Sequence, residues 1–297
     1  GKTTTARLLV RMYKADGGTI LYHPAASQKP LPVDSLAGES LRQYREKARY
    51  VFQDPARSLN PRMSVYEVLV SGLRSSAPGR RAGKKRLRAM AAAALEEVGF
   101  SAADLDRRPS EFSGGQRQRI SIARGLLVQP DLLICDEIVS ALDVSIQGQI
   151  LNLLLDIRAR RDISFLFIAH DLKVACYFCD RIGVMYQGEL MEEAPAADLY
   201  RAGRHPYTQL LFSSATQEGE ASPPAPKPPA FPLPPSAGDT PATPPSGRDT
   251  MTHNKTETAG CAFAGRCPGA QRRCFAEKPP LRETAPGHTV RCFLPDS

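Results

Sequence analysis

The chain has 297 residues, of which 42% are hydrophobic, and it carries a formal net charge of +8. This composition is typical of a globular protein, and no apolar run approaches the ~20 residues that cross a bilayer. We expect no secretory signal, because the chain starts at Gly1 without the basic, apolar and small-residue regions of a signal peptide. The positive charge permits contact with nucleic acid or acidic lipid without requiring it, and we expect no nucleic-acid partner.

Helices and strands are predicted to alternate along residues 1–215. Apolar spacing predicts, in chain order, helix 3–12, strands 18–22 and 49–52, a helical insert over about 64–115, a helix after residue 115 that stops near 130, strand 132–136, helix 144–160, strand 163–169, helix 172–178 and strand 182–186. Such alternation predicts an α/β fold in which helices cover a parallel sheet.

The composition changes after residue 215. Prolines and small residues dominate 222–245, and proline lacks a backbone donor and fixes φ, so that stretch joins neither a sheet nor a helix interior. We therefore divide the chain into a core over 1–215, a Pro-rich linker over 216–259 and a small Cys-rich module over 260–297.

The first residues carry a phosphate-binding pattern. Gly1-Lys2-Thr3-Thr4 opens a predicted helix, and it matches the end of a phosphate-binding loop, in which Lys2 supplies a point charge and the Thr3 hydroxyl reaches Mg²⁺. The triplet alone could arise by chance. Its position at the head of a helix, together with the motifs downstream, favours the functional interpretation.

Polar side chains follow three of the predicted strands. Asp136 and Glu137 end the apolar run 132–136, at the carboxyl edge where open α/β sheets bind ligands. Asp136 would hold the Mg²⁺ shell and Glu137 would polarise the attacking water; helix capping, the alternative, explains one carboxylate but not two. Gln53 follows strand 49–52 and His170 follows strand 163–169. Taken alone, Gln53 could be a polar loop residue and His170 a structural histidine.

A second glycine-rich turn precedes the helix after residue 115. The motif Ser113-Gly114-Gly115-Gln116 lets the backbone approach an anion, and the helix behind it directs its positive end there. A simple turn before a helix would explain the glycines. It would not explain Asp136 and Glu137, or the downstream segment Ser140-Ala141-Leu142-Asp143.

Taken together, these motifs resemble those of the ATP-binding cassette (ABC) ATPases, whose fold is of the P-loop NTPase type. The resemblance implies ATP and Mg²⁺ as cofactors, with Gln53 reaching Mg²⁺ and the water, and His170 contacting the γ-phosphate. It also implies that residues 113–116 and Asp143 complete the site of an opposite subunit, because two cassettes dimerise head to tail. The rest of the phosphate loop and the adenine-stacking aromatic would precede Gly1, so we expect an N-terminally truncated chain.

Two further segments, 53–63 and 205–211, resemble the dipeptide, oligopeptide and nickel importer branch. This implies a second ATPase subunit (identical or similar), two transmembrane permeases and an extracytoplasmic solute-binding protein, with the chain on the cytoplasmic face of the plasma membrane. Where the family has Pro and a small hydroxyl residue after the two acids, Ile138 and Val139 stand here, and we expect the loop behind them to shift. A soluble cassette ATPase acting on ribosomes or nucleic acid, and an inactive fragment, remain alternatives.

Four of the seven cysteines lie in the C-terminal module. They are Cys261, Cys267, Cys274 and Cys292. Four thiolates fit tetrahedral Zn²⁺ or a [4Fe–4S] cluster, and the importer resemblance implies iron. For Cys176 and Cys179 we predict core packing over a redox pair, and for Cys135 a place inside a buried strand.

Overall fold

The computed structural model describes residues 1–24, 29–74, 76, 79, 82–217 and 259–294, so most of the predicted linker lies outside the described residues. The helices described are α1 Lys2–Leu9, α2 Gly38–Lys47, α3 Pro55–Ser58, α4 Val65–Arg74, α5 Lys84–Glu97, α6 Gly114–Leu126, α7 Val144–Arg160, α8 Leu172–Phe178, α9 Ala196–Ala202, α10 Pro206–Gln217 and α11 Arg272–Ala276. The strands are β1 Leu21–Tyr22, β2 Leu31–Pro32, β3 Ala48–Val51, β4 Leu132–Asp136, β5 Ser164–Ile168, β6 Arg181–Tyr186, β7 Glu189–Pro195, β8 Arg282–Ala285 and β9 His288–Val290.

A three-stranded parallel sheet in the order β3-β4-β5 lies at the centre of the fold. Strand β4 is apolar and almost wholly buried, as expected for a parallel strand covered on both faces. Its register pairs Cys135 with Val51 on one side and Phe167 on the other. The carboxyl ends of all three strands therefore meet at one edge, as the sequence predicted.

Helices cover both faces of this sheet. On one face Ala6 of α1 and Val10, the residue after this helix, pack with Ile134 of β4. On the other face a larger apolar core joins α4, α5, α6 and α7, with Leu69, Leu95 and Ile122 among its fully buried members. The predicted helical insert is confirmed, and its described helices α4 and α5 pack against α6.

Strand β6 departs from the prediction. We expected it to continue the parallel sheet, but it pairs antiparallel with β7 in a separate four-stranded sheet ordered β6-β7-β9-β8. The reason is the tight turn at Gln187 and Gly188, whose φ values of 47° and 92° are those of a hairpin turn that reverses the chain immediately. A parallel continuation would need a crossover connection.

The C-terminal residues complete this second sheet. Strand β9 pairs antiparallel with β7, with Glu192 opposite Val290, and β8 pairs with β9. The C-terminal strands thus extend a sheet of the core, which the sequence did not predict. Among the described residues, no helix is both long enough and apolar enough to span a membrane.

Candidate functional site

Asp136, the last residue of β4, receives a hydroxyl on each carboxylate oxygen. Thr3, in the first turn of α1, donates from Oγ1 to Asp136 Oδ1 at 3.2 Å. The Tyr50 hydroxyl donates to Asp136 Oδ2. Burial, followed by this hydrogen bond, raises the pKa of Tyr50 well above its usual value, so the hydroxyl keeps its proton as a donor. Helix α1 and strands β3 and β4 therefore converge on one carboxylate.

Glu137 is held beside Asp136 by the neighbouring strand ends. Gln53, the second residue after β3, donates from Nε2 to Glu137 Oε2 at 2.8 Å. The Glu137 backbone has a φ of 49°, a conformation uncommon for residues other than glycine. Its N–H donates to the carbonyl of Ile168 at 3.0 Å, and Ser140 Oγ donates to its carbonyl at 2.8 Å. These contacts fix the turn that presents the carboxylate.

The remaining sequence-predicted residues at this edge differ in how they are held. Lys2 Nζ donates to the carbonyl of Ala169 at 2.7 Å, so the ammonium lies against the end of β5. His170 follows directly and is exposed. Gly1 precedes α1 and touches the β6–β7 turn, since a Cβ there would lie 2.6 Å from Gly188 Cα. Thr4 is exposed on α1.

A cavity of about 720 Å³ opens at Asp136. It is lined by Thr3, Tyr50, Gln53 and Asp136. Several arginines line it as well: Arg7, Arg45, Arg49 and Arg124. Its oxygen-bearing side chains are of the kind that Mg²⁺ prefers, and its positive charge suits a phosphate-bearing ligand.

The motif Ser113-Gly114-Gly115-Gln116 opens α6. Ser113 Oγ accepts from the Gln116 N–H at 3.3 Å, and Gln116 Oε1 accepts from the Ser113 N–H at 2.8 Å, which is a capping box. A Cβ on Gly115 would lie 2.5 Å from Ile146 Cγ2, so only glycine lets α6 approach α7 this closely. Asp143 is exposed at the start of α7.

The chain matches known proteins along nearly its whole length. The profile described as ABC transporter matches residues 1–140, and that described as oligopeptide/dipeptide transporter, C-terminal region, matches residues 191–274. A Brucella ovis protein, provisionally named a peptide import ATP-binding protein, is 42% identical over 296 residues, which cover 99% of this chain and 84% of that protein. The chain belongs to the ABC transporter family.

Other ABC proteins agree with this assignment. The oligopeptide transport ATP-binding protein OppF of Bacillus subtilis is 43% identical over 221 residues, 72% of this chain and 68% of its own length. A dimeric ATP-binding cassette, solved in a post-hydrolysis state with ADP and Pi, superposes with a TM-score of 0.56 at 25% identity and covers 66% of this chain and 81% of its own. The predicted cassette fold and ATPase class are thereby confirmed.

The four late cysteines of this ABC protein lie near one another. Cys261 donates its backbone N–H to the Cys274 carbonyl at 2.7 Å, and the Sγ atoms of Cys274 and Cys292 accept backbone N–H groups at 3.4 and 3.3 Å. Burial raises the pKa of Cys261 and of Cys292, and neighbouring thiols, including Cys267, raise both further. Among the described residues, however, no three His, Cys, Asp or Glu side chains are arranged as ligands of a metal ion.

The other three cysteines are inaccessible or half-buried thiols. Cys135 is fully buried in β4, as predicted, and burial raises its pKa. Burial first, and then the neighbouring thiol of Cys179, raises the pKa of Cys176 to about 11; burial and Asp180 raise that of Cys179 to about 11. Thiols that hold their protons this firmly are poor nucleophiles, which favours the packing role.

Sequence reasoning assigned no role to Tyr50 and did not predict the contact that the Ser140 hydroxyl makes. Both hold a member of the acidic pair: Tyr50 through its hydroxyl on Asp136, and Ser140 through its hydroxyl on the Glu137 carbonyl. A tyrosine three residues before Gln53 was the available signal, but its meaning depends on the register between β3 and β4, which the sequence does not show.

Proposed function

We propose that this chain is the ATP-binding and hydrolysing subunit that energises an ABC importer of peptides or a related small solute. The observation that carries the proposal is a pair of contacts between different elements, Thr3 to Asp136 and Gln53 to Glu137. They bring four of the motif residues to one edge of the parallel sheet. The solute class comes from the names of the relatives, which are peptide and oligopeptide transport proteins.

Each residue has a role that its position supports. Thr3 and Asp136 would hold Mg²⁺ through a hydroxyl and a carboxylate oxygen, with the Gln53 amide completing the shell. When bound, Mg²⁺ neutralises charge on the β- and γ-phosphates. Glu137 would orient and polarise a water for in-line attack, while Lys2 and His170 would contact the phosphates from the end of β5. Gln53 would transmit the state of the site to a permease.

The first test replaces Glu137 by Gln. We expect ATP hydrolysis to fall at least about 10²-fold, because the amide cannot accept the proton of the attacking water, while ATP binding persists. Phosphate release and equilibrium ATP binding are measured on the same preparation, together with the partner subunits. Glu96→Gln, an exposed glutamate on α5, is the matched control. Undiminished hydrolysis in the Glu137 variant would contradict the proposed catalytic role.

Ser113, Gln116 and Asp143 are exposed and so can contact a second subunit. Residues 113–116 and Asp143 would bind the nucleotide of a second ATPase subunit across a head-to-tail interface, with two permeases and an extracytoplasmic solute-binding protein completing the importer. The chain would then lie on the cytoplasmic face of the plasma membrane, attached through the permeases. Co-purification with permeases supports this arrangement; co-sedimentation with ribosomes, without permeases, contradicts it.

For the four late cysteines we propose a [4Fe–4S] cluster, with Zn²⁺ as the alternative. The support is chemical: four thiols lie within electrostatic reach of one another in a short segment, and backbone N–H groups already point at Cys274 and Cys292. Side-chain rotations would be needed to form the ligand set. Iron, sulfide and zinc are to be quantified in anaerobically purified protein. We expect about four irons and four sulfides per chain; zinc alone contradicts the cluster, and the absence of all three contradicts any metal site.

A further inference from the structure

Tyr50 contacts one carboxylate of the acidic pair, that of Asp136. Its position in β3 is opposite Ile134 of β4, so Asp136 lies two residues farther along the same face. The Tyr50 ring packs against Phe52 in a tilted arrangement, with ring centroids 4.8 Å apart. This packing places the hydroxyl on Asp136 Oδ2.

A positive charge lies in the same cavity as Tyr50. The guanidinium of Arg7, one turn beyond Thr3, donates to the Tyr13 hydroxyl at 3.1 Å and lines the cavity together with Tyr50. Because a guanidinium only donates, it does not compete with Asp136 for the Tyr50 proton.

We propose that Tyr50 is a positioning residue for the magnesium site. By holding Oδ2 of Asp136, it turns Oδ1 toward the Thr3 hydroxyl, so the two groups proposed to hold Mg²⁺ face each other before the ion arrives. Residues that hydrogen-bond to a metal ligand in this way set its orientation and so the affinity for the ion. A rigid pair also favours Mg²⁺, which demands near-ideal octahedral geometry, over the more permissive Ca²⁺. The inference rests on the proposed nucleotide function of this edge.

The chain offers a matched control at the opposite end of β4. Tyr22 donates its hydroxyl to Asp131 Oδ2, a contact of the same kind that lies just before β4 begins. Tyr22→Phe removes that hydroxyl without touching Asp136. Tyr50→Phe keeps the ring and its packing on Phe52, and Phe52→Leu loosens that packing while leaving the Tyr50 hydroxyl present.

The test measures ATP affinity by calorimetry in EDTA, in Mg²⁺ and in Ca²⁺. For Tyr50→Phe we expect unchanged affinity in EDTA, a gain from Mg²⁺ that falls about tenfold, and a smaller fall with Ca²⁺. In Phe52→Leu the gain from Mg²⁺ should fall in the same way but by less, and Tyr22→Phe should match the unaltered chain.

Four results would contradict either the positioning role or the proposed function. An unchanged gain from Mg²⁺ in Tyr50→Phe overturns the positioning role, as does a loss of affinity that is equal in EDTA and in Mg²⁺. Should Tyr50→Phe fail to fold by circular dichroism, the gain measured in Phe52→Leu decides instead, and no change there overturns the role. Absence of ATP binding by the unaltered chain in every condition rejects the proposed function itself.

Discussion

At the scale of single residues, the predicted site residues form two groups. Thr3, Gln53, Asp136 and Glu137 are cross-linked by hydrogen bonds from different elements, whereas His170, like Thr4 and Asp143, is exposed. The side chains of the first group are held by hydrogen bonds within this chain. The exposure of the second group is consistent with the contacts that we propose it makes with nucleotide or with a second subunit.

His205 is a buried histidine that belongs to neither group. It is 1% exposed, and its Nδ1 accepts the Tyr207 N–H at 3.0 Å, which assigns the proton to Nε2. Among the described residues, Nε2 has no hydrogen-bond partner. Burial lowers the pKa of His205 from 6.5 to about 4, against the opposing attraction of the Glu192 carboxylate.

This histidine predicts a pH-dependent stability. Between pH 6.5 and about 4 the unfolded chain binds the proton and the folded chain does not, so the free energy of unfolding falls as the pH falls through that window. The full shift corresponds to roughly 3 kcal/mol. His205→Asn keeps an acceptor for Tyr207 and removes the titration. Urea unfolding at pH 7 and pH 5 should show a smaller loss in the variant than in the unaltered chain; equal losses would contradict the assignment.

At the scale of elements, apolar runs located most of the strands but did not determine their partners. Strands β3, β4 and β5 form the expected parallel sheet. After β6, however, the chain reverses at Gln187 and Gly188 and pairs with β6 as β7. The hairpin was missed because its first turn residue is a glutamine, which only rarely adopts a positive φ. Similarly, the sequence predicted the helix opening at 113–116, but only the packing on Ile146 shows why a second glycine is needed there.

At the scale of the whole molecule, strand β7 joins the core to the C-terminal residues. The Glu192 carboxylate, which is fully buried, accepts the backbone N–H groups of Arg204 at 2.7 Å and His205 at 3.0 Å, and it lies 2.7 Å from His288 Nε2 of β9. A second contact from the same strand is exposed: Lys278 Nζ lies 2.7 Å from Glu189 Oε1. One buried and one exposed pair thus link the same two parts of the chain.

We expect the loss of each pair to lower the free energy of unfolding by a very different amount. His288→Ala leaves the buried Glu192 carboxylate short of a partner, and we expect a loss of roughly 3 kcal/mol in the free energy of unfolding. Lys278→Ala removes an exposed pair, and less than about 1 kcal/mol should be lost. Urea unfolding measures both, and limited proteolysis should release residues 259–294 faster in the His288 variant only. Equal effects in the two variants would show that the buried pair does not hold the C-terminal residues.

The sequence by itself predicted the chemistry that we propose for this protein. The motifs at 1–4, 113–116 and 136–137, with Gln53 and His170, depend on residue type and spacing, and the proposed contacts with phosphate and Mg²⁺ would require both locally. The tertiary structure alone decided which strand pairs with which, that β9 completes a sheet of the core, and that Tyr50 reaches Asp136. Such contacts join residues far apart in the chain, and they depend on register and packing, which no local pattern encodes.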